Sequence, residues 1–193
     1  MRHFRRLGIV NASATIAITL LTGTPAWPQA APPVASVYSS LAGRDCPSVE
    51  QGIETAYFTM ECPGVGGFRL RVLRDDERSS VTVVTPDGRQ FPLEFWNVVT
   101  RAYSDLGATA EWRIARAHGN PLPIALIVRV NAREPDPSDV DAVAQRRSTL
   151  AVAKITAEVI CVVETIDAAP RANEEARHAA DISAAHPCLQ PLP

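Results

Sequence analysis

Phe68-Arg69-Leu70-Arg71-Val72-Leu73 decides the fold of this chain. Phe68, Leu70 and Val72 alternate with Arg69 and Arg71, the period-two pattern of a strand with one buried and one solvated face. The same alternation recurs on either side. Upstream, Ala56, Phe58, Met60 and Cys62 alternate with Thr55, Tyr57, Thr59 and Glu61. Downstream, Val81 and Val83 follow the polar turn Asp75-Asp76-Glu77-Arg78. Phe91, Leu93 and Phe95 then follow Pro86-Asp87-Gly88-Arg89, a strong turn signal. Four alternating segments joined by short turns predict an antiparallel meander.

The pattern changes after that. Val99, Ala102, Tyr103 and Leu106 recur at helical spacing, so residues 98–106 are expected to form a short helix capped by Gly107. Ala110-Glu111-Trp112-Arg113-Ile114 returns to alternation, and Gly119-Asn120-Pro121 is a turn. Residues 124–130 are apolar apart from Arg129, as a central strand buried on both faces would be. Residues 133–147 form a polar excursion with two prolines, in which Ser138 and Asp141 could start a helical turn. Residues 149–167 have strand-like composition but exceed the usual strand of about 5–6 residues, so Thr156-Ala157-Glu158 is expected to fold them into a hairpin.

A C-terminal helix should follow. Asn173 suits its N-cap, and Glu174 and Glu175 suit the positive end of its dipole. Ala176, Ala179, Ala180 and Ser183 give it a small-residue stripe, Arg177 and Asp181 an i,i+4 pair, and Pro187 a stop. The expected fold is therefore α+β and β-dominated. It is an antiparallel sheet or partly closed barrel of about seven or eight strands, with the C-terminal helix packed on it.

The first 30 residues carry an address. Arg2, Arg5 and Arg6 precede a short apolar run from Ile9 to Leu21, and Thr24-Pro25-Ala26 opens a small, proline-broken exit. This is the layout of a secretory signal peptide, too short for a membrane-spanning helix of about 20 residues. Residues 1–30 are read as that signal, 31–44 as a flexible leader and 45–193 as one disulfide-bonded globular domain. The expected location is periplasmic or secreted, with no stable membrane insertion once the signal is removed. Without residues 1–30 the formal charge moves from −2 to −5, which argues against a nucleic-acid partner.

Cys46, Cys62, Cys161 and Cys188 all follow the signal. Four cysteines allow three connectivities. Cys46–Cys62 and Cys161–Cys188 are favoured: the first clips a loop onto the strand that follows it, and the second pins the C-terminal tail to a central strand. A zinc site is the alternative, but no Cys-x-x-Cys spacing is present.

Sequence-local catalytic motifs are absent: no Gly-x-Ser-x-Gly, no phosphate loop and no His-Glu-x-x-His. Pro63-Gly64-Val65-Gly66-Gly67-Phe68 lies between two strands and is read as a connection. His178, Asp181 and His186 could together ligate a metal, but a solvated helix face explains them more simply. The most distinctive string is Glu111-Trp112-Arg113. On a strand, Glu111 and Arg113 share one face, where with Arg129 they could form a polar patch for an anionic ligand or partner. The structural alternative makes Trp112 a core anchor and Glu111–Arg113 an ion pair. No cofactor or metal is expected.

Several strings span most of the chain beyond the signal: Cys62-Pro63-Gly64-Val65-Gly66-Gly67-Phe68, Leu106-Gly107 with Glu111-Trp112-Arg113, Ala125-Leu126-Ile127-Val128-Arg129, and Asn173 with Ala176-Arg177 and Ala180-Asp181. In these the chain resembles a group of small exported proteins of alphaproteobacteria. That resemblance implies an exported address and carries no activity or ligand. The stretch from Tyr57 to Cys62 and the β-rich pattern are also similar to small periplasmic β-proteins that inhibit lysozyme, a likeness at the level of fold. The expected function is a non-catalytic binding or interaction protein of the cell envelope, its partner an envelope protein or small ligand. The alternatives are an inhibitor of an exogenous hydrolase such as lysozyme and an enzyme with a dispersed active site.

Overall fold

Ten strands pair into two open, five-stranded antiparallel sheets in the computed structural model, which describes residues 33–51, 57–117, 120–134 and 145–193. The second of these sheets contains the four-segment meander read from the sequence, β3 (Phe58–Pro63), β4 (Arg69–Asp75), β5 (Arg78–Val84) and β6 (Gln90–Pro92) in that order, with an unexpected strand β2 (Ser48–Gln51) on the outer edge of β3. The first holds β1 (Ala35–Ser40), β7 (Tyr103–Ala117), β8 (Asn120–Glu134), β9 (Gln145–Ile155) and β10 (Ile160–Asp167), also in that order. A one-turn helix α1 (Phe95–Val98) links the sheets, and α2 (Ala172–Ile182) lies on the β1–β10 sheet.

The β-dominated class stands, and the finer expectations change. Among the described residues both sheets are open, so they form no closed barrel, and ten strands stand where seven or eight were expected. Part of the excess comes from Ala35–Ser40, placed by the sequence reading in a loose leader. It pairs instead with β7, Ala35 opposite Ile114 and Ser40 opposite Thr109. The helix expected over residues 98–106 is also corrected. α1 starts and ends earlier, and β7 already runs from Tyr103. Tyr103 and Leu106 lie in the regularly paired start of β7, on opposite faces of the strand, so their helical spacing is an accident; the register shift follows, between Leu106 and Ala110. Gly107 belongs to that bulge. Phe95, read as the end of a strand, starts α1, where its N–H bonds Ser80 Oγ at 3.0 Å.

Residues 149–167 form the expected hairpin. Thr156 closes it, its backbone N–H and its hydroxyl both bonding the Val159 carbonyl. In α2 the N-cap is Arg171, so Asn173 is a first-turn residue and not the cap. The signal segment and the turn expected at Ser138 and Asp141 lie outside the described residues.

Two apolar layers follow from strand alternation. On β8, Leu126, Val128 and Val130 face the meander, against Leu70, Val72, Val81 and Val83. Ala125 and Ile127 point the other way and join Leu150, Val152 and Val163 under Ala172, Ala176, Ala179 and Ala180 of α2. Burial on both faces is why residues 124–130 read as nearly continuous apolar sequence. The alanine stripe of α2 lets its backbone approach the sheet closely.

Both disulfides join the favoured partners. Cys46–Cys62 spans a Cα–Cα distance of 4.2 Å and Cys161–Cys188 one of 5.7 Å, inside the expected limit of about 7 Å. Cys161 projects toward α2, and the bridge holds the tail beyond the helix, where the Leu189 N–H bonds the Val162 carbonyl at 2.8 Å.

Candidate functional site

Antiparallel meanders place alternate turns at the same end. Here four connections meet: β3–β4 at Phe68, β5–β6 at Thr85–Arg89, the arm of the β7–β8 hairpin at Leu122–Ile124, and β9–β10 at Ile155–Ala157. Between them lies a cleft of about 440 Å³, lined by Phe68, Pro86, Leu122, Pro123, Ile124 and Ile155, with Asp87 and Arg89 supplying its charge. Its size is within the range of small-molecule sites. Leu122 is 47 % exposed, so its side chain stands open to solvent at the edge of the cleft.

The cleft is braced from behind. The Phe68 ring leans on Trp112, with centroids 6.0 Å apart and planes at 58°. Gly64 is required behind them, since a Cβ there would come within 2.6 Å of the Phe68 carbonyl oxygen and 2.8 Å of the Trp112 ring. At the rim, Thr85 bonds Asp87, and Arg89 Nε bonds Asp87 at 2.9 Å. Those two contacts hold the Asp87 carboxyl below its ordinary range. Arg89 Nη1 also donates to the Ala157 carbonyl at 3.0 Å, tying the two turns across the cleft. The hairpin arm projects past its neighbours: β1 pairs with β7 only as far as Ile114, and β9 with β8 only from Ala125.

Glu111, Arg113 and Arg129, the residues singled out from sequence, stand on the opposite side of the sheet from Trp112, beneath α2. The structure brings all three together and gives each a partner on the helix. Arg113 forms a two-pronged pair with Asp181, at 2.7 and 2.9 Å, and its Nη1 bonds Ser36. Glu111 accepts from Arg177 Nε at 2.7 Å and from Ser36 Oγ. Arg129 Nη2 donates to Asn173 Oδ1 at 3.2 Å. The Arg177–Asp181 pair expected along the helix is therefore replaced by two pairs to β7. Glu111 and Arg113 do approach each other, at 3.8 Å, but their shorter contacts are to α2. At the far end Lys154 Nζ donates to the His186 carbonyl at 2.7 Å, four residues beyond the end of α2.

This seam is electrostatically tuned. Glu111 is only 9 % exposed, and burial opposes its ionisation. The hydrogen bonds from Arg177 and Ser36 outweigh that burial, so its carboxyl sits below the ordinary value of 4.5, while Arg177 is driven above its own. A carboxylate whose folded pKa is depressed contributes stability above its unfolded pKa and loses it as pH falls through the folded one. Thermal melts should therefore show Tm dropping faster in wild type than in Glu111→Gln between about pH 5 and pH 3. Parallel Tm curves would mean that Glu111 contributes no pH-dependent stability.

The histidines do not gather with Asp181. His178 and His186 line a separate groove beside Glu164, Glu174 and Ile182, whereas Asp181 faces Arg113. Among the described residues no group of three metal-ligating side chains is found, and no helix is long and apolar enough to cross a membrane. Comparison with protein-family models, with curated proteins and with solved structures found no match.

Proposed function

We propose that this chain is an exported binding protein of the cell envelope that holds the apolar part of a ligand in the cleft at the turn end of its sandwich. The observation that carries this is the convergence of Phe68, Pro86, Leu122, Pro123 and Ile155, from four separate connections, on one apolar opening. Two disulfides and the signal-like first 30 residues support an oxidising, extracytoplasmic setting. The turns and the bracing of Phe68 by Trp112 supply a preformed wall, which lowers the ordering cost of binding.

An apolar fluorescent probe such as anilinonaphthalene sulfonate tests the reading. The oxidised protein should bind it saturably at one site, and Leu122→Asp should weaken that binding about tenfold or more without altering the circular dichroism spectrum. Probe binding that never saturates, or that is equal in the variant, would remove the cleft from the account. The projecting β7–β8 hairpin favours a second reading, inhibition of a hydrolase by insertion of that arm, which a lysozyme turbidity assay decides.

A further inference from the structure

β7 falls out of step with β8 at one point, opposite a charged residue. Leu106 pairs with Val130 and Ala110 with Val128, so Gly107, Ala108 and Thr109 together oppose Arg129. Bulges of this kind interrupt the ladder and re-aim side chains, and they recur beside functional sites. Gly107 is fitted to this one: a Cβ on it would stand 3.0 Å from the Arg129 Cβ. Beside the bulge the structure opens a niche of about 190 Å³, bounded by Tyr38, Thr109, Glu111, Arg129, Asn173 and Arg177.

The charges around the niche pair off with one left over. Arg177 is matched by Glu111 and Arg113 by Asp181, each pair at 2.7 Å. Arg129 has no carboxylate partner among the described residues. It donates to two neutral acceptors, Ser148 Oγ at 2.8 Å and Asn173 Oδ1 at 3.2 Å. A guanidinium carries five N–H donors in a planar fork that matches a carboxylate. Glu111 does not oppose an incoming anion strongly, because Arg177 and Ser36 already occupy its oxygens.

We propose that this niche binds the carboxylate group of a small ligand, with Arg129 as the main donor and the Thr109 hydroxyl beside it. The single excess positive charge suits a monoanion better than a dianionic phosphate, and the small volume suits the carboxylate group rather than a bulky anion. The site is independent of the apolar cleft, on the other side of the sheet from Trp112, so either proposal can fail without the other.

The test is a titration of the ¹⁵N-labelled, oxidised protein with sodium acetate. Sodium chloride at matched ionic strength is the control and inorganic phosphate the second arm. Acetate should shift the Gly107 and Thr109 amides saturably where chloride does not. Arg129→Met should weaken acetate binding about tenfold or more, with partial recovery in Arg129→Lys. Should Arg129→Met fail to fold, Thr109→Val must still weaken the binding. Absence of an acetate-specific shift at these amides, wild-type affinity in the folded variants, or tighter binding of phosphate than of acetate would overturn the proposal.

Discussion

Trp112→Ala should cost about 3–5 kcal/mol of unfolding free energy, the largest loss expected from any one side chain here. Trp112 is fully buried between the two sheets. Its ring supports Phe68, and its Nε1 donates to Ser39 Oγ at 2.9 Å, so truncation opens a cavity and leaves an acceptor unpaired at the same time. Urea unfolding followed by circular dichroism measures the effect without relying on the deleted fluorophore. Because Phe68 lines the cleft, the same change should also loosen the apolar wall. A loss below about 1 kcal/mol would mean that the sheets do not close on Trp112 as described.

Asp181→Ala comes next, at about 3 kcal/mol. The change leaves Arg113, 7 % exposed, as a buried cation without its two-pronged partner. Asp181 itself keeps about a third of its side-chain surface in water, which places the cost at the low end of the range for a broken buried pair. Removing both charges should cost less than removing the acid alone. The double variant Arg113→Met with Asp181→Ala is therefore expected to be more stable than Asp181→Ala. A single-variant loss of about 0.5 kcal/mol or less would reduce the pair to an ordinary surface contact.

Where a side chain's period-two partner is another side chain of the same strand, the fold was legible. β4 alternates cleanly, and both disulfides join the partners favoured among the three connectivities. β1 was not legible. Three of its six residues are serines, and its strand character comes from groups it meets only in the fold, such as Glu111 and Trp112. The bulge at 107–109 obscured β7 as one strand for a related reason, since it shifts the alternation partway along the strand.

The seam was half legible. Glu111, Arg113 and Arg129 stood out as a polar set on a strand face, and the sheet does assemble them. Their partners Asn173, Arg177 and Asp181 recur every fourth residue along one ridge of α2, a signal that could have linked them to the sheet. The helix-only rule of i,i+4 pairing assigned Arg177 to Asp181 because it takes no account of what the helix lies on. The cleft was not legible at all. Each of its four walls reads as an ordinary turn, and only the antiparallel order of both sheets puts those turns at one end.

Residue-resolved amide mapping with the apolar probe tests the central claim most directly, because it reports the assembly of the turns and the site together. In a ¹H–¹⁵N titration the account predicts that Phe68, Asp87, Leu122, Ile124 and Ala157 shift in concert with a single affinity, while Arg177 and His178 on α2 stay in place. Shifts confined to one of the four turns, or centred on α2, would contradict it.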